Sequence, residues 1–317
     1  MSLAPIVLFT FNRLDHTKKT IDALKKNILA KESELFIFSD GARNSEEYIK
    51  VKSIRRYLKS IDGFKKIKII ESEKNRGLAK SVISGVTDII NKYGKVIVLE
   101  DDLVTSKYFL KYMNEALTIF KEREDIWSIS GYGPNINIPT DYKEDIYMTK
   151  RGSSWGWATW KDRWELVDWE VSDYNSFKKD RNMIREFNSS GKDLAPMLDD
   201  QISGRIDSWA IRWVYSQFRN DKYTVYPVKS LVRNIGNDLS GTHTTTTTHF
   251  NVELGSKELV IERDIKYNSK YNTYINKYFK DFYDKNFSGY LALIIKKIGL
   301  YKQVKKIRNT IKKKLRR

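Results

Sequence analysis

Short apolar runs alternate with longer amphipathic segments over the first 125 residues, and this alternation restricts the fold more than any other feature. Runs such as Ile6–Thr10 and Val96–Leu99 have the length and composition of buried strands, and each is followed by a segment with helical periodicity. Strands separated by helices predict a mostly parallel sheet that helices cover on both faces. The predicted strands are Ile6–Thr10, Leu35–Phe38, Ile67–Ile70 and Val96–Leu99, and the predicted helices are Thr17–Leu29, Glu46–Leu58, Leu78–Tyr93 and Ser106–Phe120.

Polar residues end each of the four predicted strands. They are Asn12 and Arg13 after the first strand, Asp40 after the second, Glu71 after the third and Glu100–Asp102 after the fourth. Parallel strands end at one edge of a sheet, and ligands of such sheets bind outside these carboxyl ends, so the four groups predict a ligand site. The alternative is that strand ends are polar because loops are in contact with water.

The acidic triplet Glu100, Asp101 and Asp102 directly follows a buried apolar strand. Mg²⁺ and Mn²⁺ prefer oxygen ligands, and they commonly take one or two protein carboxylates, with substrate phosphates and water completing the shell. We therefore expect a Mn²⁺ (or Mg²⁺) site here, where the metal would neutralise a diphosphate leaving group. The alternative is that these acids cap the helix at Ser106 or face solvent. The chain has no G-x-x-x-x-G-K-[ST] sequence and no G-x-G-x-x-G after a strand, which argues against P-loop and dinucleotide-binding proteins.

Three tryptophans surround Gly156 in the tract Ser153–Trp160. Tryptophan rings can stack on the apolar faces of sugars, and a glycine lets a ligand approach the backbone closely. Core packing explains clustered aromatic residues equally well. We expect Trp155 at a sugar site and Trp157 in the core. Further elements are expected at Trp127–Ser130 (strand), Ser208–Phe218 (helix) and Tyr223–Val228 (strand).

A combination of short motifs spread over about residues 4–250 extends this pattern: a strand, Glu-Asp-Asp, an aromatic helix and a strand that contains tryptophan. The residues in question are Ala4–Arg13, Asp40, Val96–Leu103, Tyr108, Phe109, Tyr112, Ile126–Ser130, Gly156, Trp157 and Asp207–Trp209. In this combination the chain resembles the eukaryotic alpha-mannoside beta-1,2-N-acetylglucosaminyltransferase I family. The resemblance is that of a bacterial relative of the family. The resemblance implies a GT-A-like, Rossmann-type glycosyltransferase fold, a UDP-sugar donor, Mn²⁺ and inversion at the anomeric carbon.

The resemblance also implies a role for each matching polar residue near the donor. Asp102 would be the direct ligand of Mn²⁺. Asp101 would lie near the ribose or sugar of the donor, and Glu100 would contact the donor sugar. Arg13 would contact the nucleotide phosphates, which suits the bidentate geometry of a guanidinium, and Asp40 would contact the uracil.

Asp207 would be the general base of this family's reaction. Inverting transfer needs one carboxylate that takes the proton of the acceptor hydroxyl, and a metal-bound diphosphate needs no second catalytic acid. Asp199 and Asp200 lie close by in the sequence and are competing candidates. The structural alternative for Asp207 is an N-cap of the helix that includes Trp209.

The segment Gly236–His249 is rich in Gly, Ser and Thr and includes five consecutive threonines, which predicts a loop. By resemblance, Asn234–His249 would order over the bound nucleotide, with Ser240 and His243 contacting the nucleotide-sugar, and such closure excludes water from a donor. His243 and His249 are also candidate metal ligands. The threonine run departs from the eukaryotic family.

Positive charge is concentrated at the C-terminal end of the chain. Residues 285–317 contain twelve basic and no acidic residues, so this segment contributes +12 of the formal net charge of +18. Apolar residues at steps of three and four predict a basic amphipathic helix, which would bind an anionic membrane surface or pack its apolar side on the body. We expect no nucleic-acid partner. Our division is a GT-A-like catalytic domain over 1–284, with a nucleotide-binding half at about 1–125 and an acceptor half at about 126–284, and the tail 285–317.

Function and location follow from these features together. We expect a metal-dependent inverting glycosyltransferase that moves a sugar from a nucleotide-sugar to a hydroxyl group of a glycan or lipid-linked acceptor. The expected donor is a UDP-sugar, with UDP-GlcNAc as one candidate. The alternatives are a sugar-phosphate nucleotidyltransferase and a non-catalytic carbohydrate-binding protein associated with membranes. Cysteine is absent, and no run of about 18 apolar residues occurs, so we expect a cytoplasmic protein that can bind the inner membrane face through its tail.

Overall fold

The computed structural model describes residues 2–136, 138–139, 141–236, 250–270 and 273–279. Ten strands and nine α-helices occur up to residue 236, and residues 269–270 and 273–279 are also helical. The strands are Ile6–Thr10 (β1), Glu34–Ser39 (β2), Lys66–Glu71 (β3), Lys95–Glu100 (β4), Leu103–Thr105 (β5), Ile126–Ser130 (β6), Ile146–Thr149 (β7), Trp157–Trp160 (β8), Tyr223–Pro227 (β9) and Val232–Asn234 (β10). The helices are Leu14–Lys25 (α1), Ser45–Leu58 (α2), Leu78–Tyr93 (α3), Phe109–Ile119 (α4), Lys161–Glu165 (α5), Tyr174–Phe177 (α6), Arg181–Phe187 (α7), Leu194–Ile202 (α8) and Trp209–Arg219 (α9).

Eight of the described strands form one sheet in the order β3-β2-β1-β4-β8-β6-β9-β7, and β5 pairs with β10 separately. The strands β3, β2, β1 and β4 are parallel to one another, and β6 is parallel to β9. Only β8 and β7 run against them. The predicted fold class, a mostly parallel α/β sheet, is therefore confirmed. The carboxyl ends of β1, β2 and β4 lie at one edge of the sheet, which we call the site edge.

The sheet is buried on both faces, which explains why its central strands are apolar at successive positions. In β1, Ile6 and Leu8 pack into the core on one face, together with residues of α1, α2 and α4. Val7 and Phe9 point to the other face, where α3 and α9 supply the partners. Both faces thus hold the strand ends in place, and the loops that follow them are positioned by a rigid scaffold.

Strand β8 enters the sheet between β4 and β6 and antiparallel to both. The sequence pattern predicts no strand there, because the tract contains only four residues of strand and its partners are distant in the chain. Trp157 of β8 is 1% exposed and packs against Trp164, Trp209 and Trp213. The expectation that Trp157 belongs to the core is confirmed.

Among the described residues, no helix combines the length and the apolarity that crossing a bilayer requires. The predicted tail 285–317 lies outside the described residues, and so does most of the predicted loop Gly236–His249, including Ser240 and His243. The two functional halves proposed for 1–284 remain a prediction. Strands on both sides of residue 125 belong to one sheet.

Candidate active site

An arginine and two aspartates form the centre of the site edge. Asp101 and Asp102 occupy the turn between β4 and β5, and both are buried. Arg13, directly before α1, bonds Asp101 through Nη2, and the same nitrogen lies 2.9 Å from Asp102 Oδ2. The backbone N–H of Phe11 donates to Asp101 Oδ2 at 3.3 Å. The ends of β1 and β4 are thereby joined through charged side chains, as the sequence predicts.

Burial and mutual repulsion disturb the acids of this cluster. The pKa of Glu100 is raised to about 8, first by burial and then by the charges of Asp102 and Asp101. Burial also raises the pKa of Asp101 to about 6, against the opposing effect of Arg13. Burial disfavours the charge of Arg13, but the two aspartates outweigh it and raise the arginine's pKa. The Arg13 guanidinium thus pairs with two carboxylates and only partly offsets the burial of Glu100, so additional positive charge there would stabilise the ionised forms of Glu100 and Asp101.

The acids suit a hard divalent cation by ligand type, because carboxylate oxygens are what Mg²⁺ and Mn²⁺ prefer. Within the described ranges, however, no group of three or more His, Cys, Asp or Glu side chains has the arrangement of a metal site. The cluster therefore fits a cation for which the protein supplies one or two carboxylates, with phosphates and water supplying the rest. Asp102 is the residue that would hold such an ion.

Gly236 lies directly against Asp102. A β-carbon on Gly236 would lie 2.2 Å from Asp102 Oδ2 and 3.0 Å from Arg13 Nη1, so no side chain fits there without displacement. Pairing between β10 and β5 brings the segment here, and the N–H of Ile235 donates to the Asp102 carbonyl at 2.9 Å. A diphosphate beside Asp102 would need Gly236 or the carboxylate to shift. In the sequence, Gly236 is recognisable only as the start of the predicted loop Gly236–His249.

Asp40, at the end of β2, holds the turn that precedes α3. Its carboxylate accepts hydrogen bonds from the backbone N–H groups of Gly41, Arg76 and Gly77 at 2.8–3.1 Å, and from Asn75 Nδ2 at 3.1 Å. These donors account for the geometry of the 75–77 turn. The contact between Asp40 and a uracil stays a prediction. The Asp40 carboxylate would have to make this contact in addition to the hydrogen bonds described above.

Asp207 lies on the far side of the same turn. It is exposed, and a β-carbon on Gly77 would lie 3.3 Å from its Oδ2 atom. The N-cap of α9 is Ser208, whose hydroxyl accepts from the N–H of Ile211 at 3.3 Å. The structural alternative for Asp207 is therefore wrong, and its carboxylate serves no capping role at α9. Gly77 itself has φ +79°, a conformation that favours glycine.

The competing acids Asp199 and Asp200 are already paired. Asp199 accepts hydrogen bonds from Tyr174 and Arg205, and these lower its pKa to about 2. Arg205 also pairs with Asp200 through Nε at 2.5 Å. A carboxylate with so low a pKa is a weak general base. Asp207 remains the better-placed candidate.

Trp155 and Gly156 directly precede β8, and the first residue of β8 lies at the site edge because β8 is antiparallel to β4. Trp155 is half-buried, with its ring edge-to-face against Tyr132 at 4.8 Å between centroids and against Phe250 at 5.3 Å. A β-carbon on Gly156 would lie 2.8 Å from Val232 Cγ2. Close packing within the protein thus accounts for this glycine. The role of both residues toward a sugar stays a prediction.

No protein-family model matches the chain, and no curated protein matches it either. Solved structures overlap with it weakly. The mannosyltransferase PcManGT from Pyrobaculum calidifontis, in complex with GDP-Man and Mn²⁺, is 11% identical over 52% of this chain and 46% of that chain, with a TM-score of 0.34. Residues 1–349 of S. aureus TarS are 10% identical over 72% and 59%, with a TM-score of 0.40.

The longer S. aureus TarS structure is 11% identical over 73% of this chain and 36% of that chain, with a TM-score of 0.39. The chain therefore spans from about a third to three fifths of the solved chains it overlaps with. Overlap at these scores supports no statement about activity or substrate. The specific resemblance to the N-acetylglucosaminyltransferase I family stays a prediction.

Proposed function

We propose that the chain is a metal-dependent glycosyltransferase with a nucleotide-sugar donor. The observation that carries the proposal is the placement of Arg13, Asp101 and Asp102 at the same sheet edge as Asp207. Arg13 offers a positive charge for phosphate oxygens, and the neighbouring carboxylates of Asp101 and Asp102 suit the metal ion that accompanies a diphosphate. Asp207 offers a carboxylate without a capping role at the start of α9, which suits a base.

Each residue then has a defined task. Asp102 holds Mn²⁺ or Mg²⁺, and Arg13 binds phosphate oxygens of the donor. When bound, the metal ion supplies positive charge next to the departing diphosphate. Asp207 accepts the proton of the acceptor hydroxyl as that oxygen attacks the anomeric carbon. Attack from the side opposite the leaving group inverts the configuration, so a single base is sufficient.

The remaining predicted contacts belong to the donor sugar and base. In the proposal, Glu100 and Asp101 border the sugar and ribose, and Asp40 borders the uracil of a UDP-sugar such as UDP-GlcNAc. Trp155 and Gly156 line the sugar side of the site. Ser240 and His243, which lie outside the described residues, stay predicted contacts of the donor.

The acceptor is a glycan or a lipid-linked glycan. The tail 285–317 would bring the enzyme to such an acceptor by binding anionic lipids at the inner face of a cytoplasmic membrane. Vesicles of phosphatidylglycerol and phosphatidylcholine test this point by co-sedimentation. We expect the full chain to pellet with the anionic vesicles and a chain ending at Asp284 to stay in solution. Equal pelleting of the two chains would contradict it.

The proposed base is tested by Asp207→Asn. Release of nucleoside diphosphate from UDP-GlcNAc, UDP-glucose or GDP-mannose is measured with Mn²⁺ present. We expect the variant to lose about 10²- to 10⁴-fold in rate, as is usual for a general base. Its thermal stabilisation by UDP and Mn²⁺ should be unchanged. Asp199→Asn and Asp200→Asn are matched controls, and a wild-type rate in Asp207→Asn would exclude this residue as the base.

A further inference from the structure

Arg212, in the first turn of α9, is a half-buried cation held only by neutral groups in the described part of the chain. Its Nε donates to the Ser208 carbonyl at 3.3 Å, and its Nη1 donates to the Trp169 carbonyl at 3.2 Å. The guanidinium also lies over the ring of Trp169, 5.8 Å from the centroid. A guanidinium has five N–H donors, and these contacts use two of them.

Other buried arginines of this protein have carboxylate partners. Arg151 makes two bonds to Asp193, at 2.8 and 3.0 Å, and Arg163 is bonded to Asp162. Arg212 has no carboxylate within 4.0 Å among the residues whose positions are described. Burial lowers its pKa, and the more distant charges of Asp207 and Glu170 only partly oppose this. Even partial removal of a guanidinium from water without an ion pair is unfavourable, which favours a role in binding an anion.

A hydrogen bond places Arg212 beside the segment that carries the proposed base. The Nε atom of Arg212 donates at 3.3 Å to the carbonyl of Ser208, the residue that directly follows Asp207, at the N-terminal end of α9. An acceptor hydroxyl that reaches Asp207 therefore brings its neighbouring substituents close to Arg212. A guanidinium edge matches the two oxygens of a carboxylate or phosphate.

Resting on the proposed function, we propose that Arg212 selects the acceptor: it binds a carboxylate or phosphate group next to the hydroxyl that receives the sugar. The substrate class is thus a sugar or glycan that carries a carboxylate or phosphate group. The competing explanation is purely structural, with Arg212 fastening the loop at Trp169 to α9. The two differ in one respect, because a fastening arginine affects stability without affecting which acceptor binds.

Matched probe pairs separate the two explanations. Binding of glucose is compared with glucose 6-phosphate, and methyl glucoside with methyl glucuronide, by titration calorimetry with UDP and Mn²⁺ present. We expect at least one anionic member to bind about tenfold more tightly than its neutral partner. The pair that shows the preference identifies phosphate or carboxylate as the recognised group. If neither anionic probe is preferred by the wild-type chain, the proposal is overturned.

Variants at position 212 complete the test. Arg212→Gln should remove the preference, and Arg212→Lys should keep part of it because the charge remains while the planar fork is lost. Arg219→Gln, at the other end of α9 and paired with Asp173, should keep it fully. A preference that survives in Arg212→Gln overturns the proposal. UDP and Mn²⁺ binding is measured on the same samples, and its absence in the wild-type chain would contradict the proposed function instead.

Discussion

The backbone N–H of Gly77 donates a 3.1 Å hydrogen bond to the carboxylate of Asp40. The other side of the same glycine faces Asp207, whose Oδ2 would lie 3.3 Å from a β-carbon there. A carboxylate at the end of β2 thereby fixes the turn against which the proposed base rests. This turn lies at the site edge, together with the cluster of Arg13, Asp101 and Asp102.

Asp40→Ala should weaken both the turn and the reaction. The substitution leaves the N–H groups of Arg76 and Gly77 without their acceptor, and the expected loss is about 1–3 kcal/mol in the free energy of unfolding. Transfer should fall in kcat as well, because Asp207 loses its support. Urea unfolding and rate measurements check this, with the exposed Asp62→Ala as the control. Unchanged stability and unchanged kcat would show that Asp40 does not hold the turn.

Gly236→Ala should abolish Mn²⁺-dependent nucleotide binding while the fold is kept. The new methyl group would lie 2.2 Å from Asp102 Oδ2, so the carboxylate and Arg13 must move apart. Calorimetric titration with UDP and Mn²⁺ measures the effect. Gly204→Ala is a suitable control: its β-carbon meets nothing within 4 Å, although its positive φ costs about 1 kcal/mol. Nucleotide binding by Gly236→Ala at wild-type affinity would be incompatible with a site beside Asp102.

The two neighbouring tryptophans should separate stability from binding. Trp157→Ala removes a side chain that is 1% exposed and should cost about 3–5 kcal/mol in the free energy of unfolding. Trp155→Ala removes a half-buried ring at the site edge and should cost less stability. Its main effect is expected in donor affinity, measured by titration with UDP-GlcNAc and compared with UDP alone. A loss that is equal for the two ligands would argue against stacking of Trp155 on the sugar.

The first half of the fold could be predicted because its signals are local. The strands β1, β2 and β4 are mostly apolar runs, as a parallel sheet buried on both faces requires. The edge strand β3 has the weaker pattern KIKIIE, and none of its residues is buried. The helix Leu78–Tyr93 begins after Gly77 and ends before Gly94, so even its bounds were readable. The convergence of Arg13 with Asp101 follows from the same topology, since β1 and β4 are neighbours.

The second half depends on contacts between distant residues. The pairing of β8 with β4 joins residues about 60 positions apart, and no local periodicity encodes it. Asp207 and Ser208 are equally good capping residues by type, and only the backbone geometry decides for Ser208. The approach of Gly236 to Asp102 likewise results from the pairing of β10 with β5. Arg212 gave no sequence signal, because its unusual feature is the lack of a nearby carboxylate in the described structure.

The most direct test is the binding of Mn²⁺ in the presence and absence of UDP, followed by the electron paramagnetic resonance signal of the free ion. We expect UDP to increase the binding of Mn²⁺ to the wild-type chain, Asp102→Asn to lose this UDP-dependent binding, and Asp200→Asn to keep it. If Asp102→Asn bound Mn²⁺ and UDP as the wild-type chain does, Asp102 would not hold the metal and the proposed site would be refuted.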